Sequence, residues 1–265
     1  MEGCLVEPRS FLGLRRRIAY AVYGRMGPRT MRIGPKTVLK CGFDIDLAEA
    51  NTMKFIGENT SIPVPKVLSA WKRGDVIYIT MQYVPGERAW SAWDKLRVDQ
   101  QDDLCRELES YVKQLRQLTP PSPYIVSSVD GGPCRDHRFG LRTIGPFNSH
   151  DAFHERLRRG DNLDKCAPEV ATLHNGRYVS KFTHGDLTMF NVLVHEGKIS
   201  AILDWECAGW RPEYWEYTRA HYRPEGVPPG WFDAIRRATG DYDIHLAGER
   251  ELWRTHEFPS TPLTR

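Results

Sequence analysis

The chain has 265 residues, of which 40% are hydrophobic, and its 8 Trp, 11 Tyr and 10 Phe can fill a core, which argues against a disordered chain. Its 37 Lys and Arg and 34 Asp and Glu are interspersed and leave a net charge of +3, so we expect no nucleic acid partner. No apolar run approaches the roughly 18 residues of a membrane span. The composition predicts a soluble enzyme with one large domain or two small ones.

The cysteine pattern predicts the compartment. Six cysteines are scattered along the sequence without a C-x-x-C pair, which excludes a zinc site of the common type. The N-terminus has no apolar signal segment behind its first basic residue. We therefore expect free thiols and a cytoplasmic protein, while the oligomeric state stays open.

The first predicted element is a helix over residues 9–26. Apolar residues recur there at helical intervals, and Arg15, Arg16 and Arg17 lie between them. Such a basic amphipathic helix can pack on the small lobe with its arginines in solvent, or touch a membrane or a partner. The first interpretation is favoured, because charge runs on helices are usually solvated faces. No function is assigned to this helix.

The next segment predicts two strands and a helix. Residues 30–42 indicate two short strands around a Gly34-Pro35 turn, with Lys40 at the end of the second strand. Residues 46–56 indicate a helix that carries Glu49 in its first turns. Taken alone, a lysine on a strand and a glutamate on a helix are more often solvated surface residues.

Further elements follow in order. Residues 67–71 and 76–81 predict a hairpin, and residues 98–118 predict a long amphipathic helix that a proline cluster ends. Residues 130–137 form a Gly-rich loop that could line a cleft, and we assign no role to His137 within it. Two short helices are predicted at residues 151–157 and 168–178.

The most informative stretch is residues 182–206. It places His184, Asp186, Asn191 and Asp204 at the spacing of a kinase-type phosphoryl-transfer centre. Residues 191–194 and 199–203 predict a hairpin that returns Asp204 to the side of Asn191. In such a centre one carboxylate accepts a hydroxyl proton, while an amide oxygen and a second carboxylate hold Mg²⁺ against the phosphates of ATP.

This spacing gives each residue a predicted role. Asp186 is the candidate catalytic base or hydroxyl-orienting group, and Asn191 and Asp204 are the candidate Mg²⁺ ligands. Lys40, paired with Glu49, is the candidate contact for the α- and β-phosphates of ATP.

Three neighbouring residues are assigned differently. Glu58 is a weaker alternative partner for Lys40. His184 is expected to hold the loop through hydrogen bonds of its ring rather than to take part in the chemistry. For Glu206, support of the metal ligands and capping of the next turn stay equally open.

The sequence resembles the aminoglycoside phosphotransferase and choline kinase-like family, whose hallmark is His-Gly-Asp-x-x-x-x-Asn followed by Asp-Trp or Asp-Phe. The resemblance extends over residues 31–222, and four segments look like the fungal members in particular: residues 61–66, 81–86, 145–147 and 208–216. It implies an α+β, protein-kinase-like fold with a small antiparallel sheet in an N-terminal lobe, residues 1–83, and a mainly helical C-terminal lobe, residues 84–265.

The resemblance also implies an activity, which is ATP- and Mg²⁺-dependent transfer of phosphate to a small-molecule alcohol. The adenine would lie against residues 81–84 and bond the backbone of Gln82 and Val84. No acidic wall for a polycationic aminoglycoside is apparent, because residues 205–265 hold 10 acidic and 8 basic residues.

Two departures keep alternatives open. No G-x-G-x-x-G precedes Lys40, and the turn at Gly34 is too short for a full phosphate-covering loop, which allows a catalytically inactive nucleotide-binding or scaffold protein. A protein kinase is disfavoured, because Gly185 stands where such kinases have Arg and Trp205-Glu206 where they have Phe-Gly.

Overall fold

The structure is a computed structural model that describes residues 18, 21–23, 26–140, 142–222 and 225–256. The helix predicted at residues 9–26 lies largely outside this part of the chain. None of the described helices is long and apolar enough to cross a membrane.

The first part of the fold is an antiparallel sheet with one helix beside it. Four strands form the sheet in the order β1-β2-β4-β3: β1 Thr30–Gly34, β2 Thr37–Gly42, β3 Val67–Arg73 and β4 Val76–Gln82. Helix α1, Leu47–Asn59, connects β2 to β3 and begins where the Asp46 side chain accepts a hydrogen bond from the N–H of Ala48. Both predicted hairpins are confirmed, and Lys40 lies two residues inside the end of β2 rather than at its end.

The second part is mainly helical. Its helices are α2 Ala89–Ala92, α3 Val98–Gln117, α4 His150–Leu157, α5 Pro168–His174, α6 Trp215–Ala220, α7 Pro229–Thr239 and α8 Asp243–His256. Helix α3 packs against α7, and α5 packs against α8. The helix predicted at 168–178 was too long, because the chain leaves α5 after His174 and the Tyr178 hydroxyl donates back to the carbonyl of Leu173.

Short strands connect these helices. They are β5 Glu87–Arg88, β6 Cys134–Arg135, β7 Thr143–Ile144, β8 Ser180–Thr183, β9 Val192–His195, β10 Lys198–Ile202 and β11 Gly209–Pro212. Strands β9 and β10 form the predicted hairpin, and β8 pairs with β11. The aromatic residues after Cys207 lie on strand β11 and on the short helix α6.

One hydrophobic cluster joins the two parts. Val38 and Ile79 of the sheet, Leu108 of α3 and Trp231 of α7 belong to the same buried cluster. A second cluster lies among α4, α5, α6 and α8. The shared core fixes the sheet relative to the β9–β10 hairpin, so that Lys40 and Asp204 face one cleft. The division of the chain into domains at residue 83 stays a prediction.

Candidate active site

Lys40 lies at the centre of the site. Its Nζ is 2.8 Å from Glu49 Oε1 and 2.7 Å from Asp204 Oδ1. The short connection from β2 to α1 puts Glu49, in the first turn of that helix, beside the lysine. Glu58, the alternative partner, is exposed near the far end of α1. Of the two candidates, Glu49 is the residue that the fold brings to Lys40.

The buried charges shift one another's pKa values. Burial lowers the pKa of Lys40, but the carboxylates of Glu49, Asp204 and Glu206 outweigh it and raise that pKa above its ordinary value. Burial raises the pKa of Glu49 to about 7 against the opposing effect of Lys40. The pKa of Asp204 is lowered to about 2, because Lys40 outweighs the effect of burial. Lys40 is therefore a cation, and Asp204 an anion, at neutral pH.

Asp186 lies in the loop between β8 and β9 and is held by neighbours on one side. The Asn191 side-chain amide donates to Asp186 Oδ2 at 2.8 Å and to the Asp186 backbone carbonyl at 2.9 Å. His137 Nε2 lies 3.4 Å from the same Oδ2. In the described part of the chain these contacts converge on Oδ2, which leaves Oδ1 to meet a ligand.

His184 makes the ring hydrogen bonds that the sequence predicted. Its Nδ1 accepts from the backbone N–H of Asp186 at 3.2 Å, so the ring proton is on Nε2, which donates to the carbonyl of Leu203 at 2.9 Å. Burial lowers the pKa of this imidazole. A neutral His184 thus ties the Asp186 loop to the chain just before Asp204.

Glu216 supports the same loop, and the sequence did not reveal it. Its carboxylate accepts from the backbone N–H groups of His184 at 2.5 Å and Gly185 at 3.3 Å. Burial raises the pKa of Glu216 to about 7. The glutamate follows His184 by 32 positions and carries no recognisable spacing signal.

Asp204 has an unusual backbone conformation, with φ of 62° and ψ of 62°. A side chain with a Cβ in this left-handed region costs about 1 kcal/mol or more. The backbone N–H of Leu203 donates to the carbonyl of Asn191 at 2.7 Å, and this bond fixes the preceding residue. The strained conformation is the one that turns the Asp204 carboxylate toward Lys40.

Glu206 contacts two arginines, Arg29 and Arg135, to which the sequence analysis assigned no role. Its nearly buried carboxylate lies 3.2 Å from an Arg29 nitrogen, 3.3 Å from an Arg135 nitrogen and 3.8 Å from Lys40 Nζ. Of the two predicted roles, the contacts favour support of the site. Arg29 precedes β1, whereas Arg135 lies on β6, so Glu206 connects two distant segments.

Strand β6 and the residues after it deliver two cations to the site. Arg135 reaches Glu206, and His137, two positions later, reaches Asp186. Cys207 raises the pKa of His137 above its ordinary value, burial opposes this effect, and Asp186 adds to it. The sequence placed both residues in the Gly-rich loop of residues 130–137, which could line a cleft, but it assigned no role to either of them.

A cavity of about 240 Å³ lies beside Lys40. Its lining combines apolar side chains, which include Val38, Met53, Met81, Leu193 and Leu203, with the polar side chains of Lys40, Glu49, Asn191 and Asp204. Gln82 and Val84 also line it. The backbone N–H of Gln82 donates to the carbonyl of Lys66 at 2.8 Å, so the backbone group with which Gln82 can meet a ligand is its carbonyl.

The turn at Gly34, which the sequence indicated was too short for a full phosphate-covering loop, does not contribute to the described lining of the cavity, whereas residues 26–30 do. The reason is the register of the hairpin, in which Thr30 pairs with Lys40 while Gly34 pairs with Thr37. The Lys40 end of the hairpin is thus the end opposite to its turn.

The residues fit a hard divalent cation at Asn191 and Asp204. Ligand oxygens of Glu49, Asp204 and Glu206 lie within 4.8 Å of one another, but Lys40 Nζ already contacts all three carboxylates. Since Asp186 holds the amide nitrogen of Asn191, the carbonyl oxygen of that side chain faces the other way. Amide and carboxylate oxygens are the donors that Mg²⁺ prefers.

Comparisons with known proteins agree with this geometry. A model of the phosphotransferase enzyme family matches residues 47–252, and no curated protein matches the chain. Three similar solved structures are an ADP-bound aminoglycoside phosphotransferase APH(2'')-Ib (12% identity, 93% of this chain and 86% of that chain, TM-score 0.59), a type VIII aminoglycoside-3'-phosphotransferase (18%, 84% and 86%, 0.53) and APH(2'')-IIa with streptomycin and ATP (14%, 95% and 98%, 0.52). At these identities they show the fold, and the predicted α+β, protein-kinase-like fold is confirmed.

Proposed function

Because the chain belongs to the phosphotransferase enzyme family, we propose that it transfers the γ-phosphate of ATP to a hydroxyl group of a small molecule in an Mg²⁺-dependent reaction. The observation that carries this proposal is the contact of Lys40 Nζ with both Glu49 and Asp204. A kinase-type centre needs a lysine fixed beside the metal-binding carboxylate, since charge neutralisation and positioning supply most of the catalysis.

Asp186 positions the acceptor. Its Oδ2 is engaged by Asn191 and lies near His137, so Oδ1 accepts the hydrogen bond of the incoming hydroxyl. As the bond between the acceptor oxygen and the γ-phosphorus forms, the bond from that phosphorus to the bridging oxygen of ADP breaks. The hydroxyl proton passes to Asp186, and ADP is the leaving group.

Asn191 and Asp204 hold the metal, and Lys40 holds the α- and β-phosphates. When bound, Mg²⁺ supplies positive charge against the phosphate oxygens. Lys40 keeps its proton because three carboxylates surround it, and Glu49 keeps its side chain extended toward the phosphates. Exclusion of water from this buried cluster strengthens each of these interactions.

The cavity suits the nucleotide base. Its apolar walls can sandwich a flat aromatic ring, as the residues from both parts of the fold close on it from two sides. The carbonyl of Gln82 would accept a hydrogen bond from the adenine amino group, and the N–H of Val84 would donate to a ring nitrogen. Both interactions use the backbone, so they do not depend on the side chains at these positions.

A catalytically inactive scaffold is less well supported. Such a protein needs no charged cluster of this kind, and buried charges cost free energy unless each one is paired. Here Lys40 contacts three carboxylates, and two of them, Glu49 and Asp204, line the cavity together with it.

The test begins with the melting temperature of the purified protein in the presence of ATP, of Mg²⁺ and of both. We expect a rise that needs both ligands. ADP formation is then measured with a panel of alcohols that includes sugars, polyols, amino alcohols and aminoglycosides. Absence of any shift at millimolar Mg²⁺-ATP would exclude the proposed function, whereas acceptor-dependent ADP formation, with loss of activity in Asp186→Ala, would support it.

A further inference from the structure

The segment just before β1 contributes to the lining of the cavity. Residues 26–30 line it together with Lys40 and Asp204. The carbonyl of Arg29 accepts a hydrogen bond from the backbone N–H of Cys41 at 2.9 Å. Because Cys41 directly follows Lys40 on β2, this bond places the Arg29 backbone beside the strand that carries the phosphate-binding lysine.

The Arg29 side chain crosses the cleft. One guanidinium nitrogen lies 2.9 Å from Asp44 Oδ2 and 3.2 Å from Glu206 Oε2, and the other lies 3.4 Å from Glu206 Oε1. The side chain keeps 27% of its surface exposed. A planar guanidinium that is fixed by its backbone, yet partly open to the cleft, can reach two oxygens of a phosphate at once.

Arg29 can leave its present partners at low cost. Glu206 retains Arg135 at 3.3 Å and Lys40 at 3.8 Å when Arg29 moves, so its buried charge stays compensated. Asp44 is 28% exposed, and water can replace the arginine there. The two carboxylates therefore bind the guanidinium in the protein without nucleotide, and they can release it.

A triphosphate in the cleft needs a cation in addition to Lys40. Four carboxylates, those of Asp44, Glu49, Asp204 and Glu206, already pair with Lys40, Arg29 and Arg135. A triphosphate adds several negative charges to this set. Without Arg29, its terminal phosphates would approach Asp44 and Glu206 with less compensation, and like charges at close range repel strongly in a poorly solvated cleft.

We propose that Arg29 binds the β- and γ-phosphates of the nucleotide from the small-sheet side, in place of the glycine-rich loop that the sequence lacks before Lys40. This inference rests on the proposed function. Arg29 is then a phosphate ligand that changes partner, from Asp44 and Glu206 in the free protein to phosphate oxygens in the complex.

The test compares the affinities of three nucleotides that differ only in phosphate number. The dissociation constants of ATP, ADP and AMP, each with Mg²⁺, are measured by calorimetry for the wild-type protein, Arg29→Gln and Arg29→Lys. We expect Arg29→Gln to weaken ATP binding about tenfold or more and to leave AMP binding nearly unchanged, since a hydrogen-bonded charge pair typically contributes this much. Arg29→Lys keeps the charge but cannot make the bidentate contact with phosphate, so its loss of ATP affinity should be intermediate.

Two further variants separate phosphate binding from a structural role. Arg32→Gln is the matched charge control: Arg32 is on β1, lies 3.8 Å over the Tyr83 ring and donates to the carbonyl of Gly34. It should not change the ratio of ATP to AMP affinity. Asp44→Asn weakens the contact of Arg29 with residue 44 in the free protein, and its affinity for ATP should equal or exceed that of the wild type. If Arg29 were only a structural bridge, Asp44→Asn would weaken ATP binding.

The outcomes are distinguishable. Equal loss of ATP and AMP affinity in Arg29→Gln, or no loss of either, would overturn the role of Arg29 while the proposed function stands. A wild-type protein that binds no Mg²⁺-ATP would overturn the proposed function itself and the Arg29 inference with it. Melting temperatures of all variants identify any that fail to fold, and Arg29→Lys then decides the question for position 29.

Discussion

Lys40 Nζ and Asp204 Oδ1 lie 2.7 Å apart although 164 positions separate them in the sequence. The contact joins the first sheet to the β9–β10 hairpin. It also means that the lysine proposed to bind phosphate and the carboxylate proposed to bind the metal neutralise each other in the free protein. The first prediction concerns what happens when the lysine is lost.

Lys40→Met should destabilise the protein by about 3 kcal/mol at pH 8, since it leaves Glu49 as an uncompensated buried charge. The pKa of Glu49 is already raised to about 7 and should rise further. When the pKa of an acid is higher in the folded than in the unfolded protein, the fold loses stability as the pH rises above the unfolded-state pKa. The stability difference between the variant and the wild type should therefore shrink toward pH 5, where Glu49 is protonated. Urea unfolding at both pH values measures this, and a deficit independent of pH would contradict it. Lys40→Met combined with Glu49→Gln should recover most of the loss.

Asp186→Asn should lower phosphate transfer by roughly 10²- to 10⁴-fold, because the amide cannot take the hydroxyl proton. The amide oxygen of the new asparagine can occupy the position of Asp186 Oδ2 and still accept a hydrogen bond from Asn191, so the loop should keep its shape. Calorimetry should give an unchanged dissociation constant for Mg²⁺-ATP. Turnover close to the wild-type rate would remove Asp186 from the mechanism.

Asp204→Asn should abolish the Mg²⁺ dependence of ATP binding. The substitution removes the charged metal ligand, whereas Lys40 keeps its contact with Glu49 at 2.8 Å. Titration of ATP at several Mg²⁺ concentrations would therefore give the same affinity throughout. A Mg²⁺ response like that of the wild type would show that the metal uses other oxygens, and Glu206→Gln serves as the comparison.

Three buried histidines should make the fold sensitive to acid. Burial lowers the pKa of His150 to about 4, of His154 to about 3 and of His174 to about 2. A group with a depressed folded-state pKa stabilises the fold above its unfolded pKa and loses this contribution as pH falls. The loss should begin below about pH 6.5 and reach at most about 1.4 kcal/mol per pH unit for each histidine.

Equilibrium unfolding between pH 7 and pH 4.5 tests this sensitivity. His154 stacks on His174 at a ring distance of 4.2 Å and bonds the Tyr214 hydroxyl through Nε2 at 2.9 Å. His154→Gln should reduce the pH slope, because it removes one of the buried histidines whose pKa is depressed in the folded state. An unchanged slope in this variant would assign the acid sensitivity to other groups.

Local sequence patterns predicted most of the elements and the centre of the site. The fixed spacing of Asp186, Asn191 and Asp204 lies within a single hairpin and its preceding loop, so a short stretch of sequence contains the whole arrangement. Lys40 and Glu49 were found because a strand followed by a helix brings them together. The roles assigned to these residues stay predictions, as do the contacts at Gln82 and Val84.

Local sequence patterns did not predict the residues that support the site from distant segments. Glu216 reaches the backbone of His184 from α6, and Arg135 and His137 reach the site from a short strand in an irregular region. Their positions depend on how distant segments pack, and no local periodicity encodes that. The contribution of residues 26–30 to the cavity was not foreseen for a similar reason, because the hairpin register decides which end of β1 lies near Lys40.

The ammonium group of Lys40, in contact with Glu49, Asp204 and Glu206, serves as an internal counter-ion. A free divalent ion would have to compete with the ammonium group of Lys40 for these carboxylates. The protein without nucleotide should therefore bind free metal weakly. In the proposed function the nucleotide would relieve this competition, since its phosphates would attract the lysine and would bring their own magnesium. Cellular occupancy should therefore follow the concentration of the Mg²⁺-ATP complex rather than that of free Mg²⁺, and chelation should leave the resting fold intact.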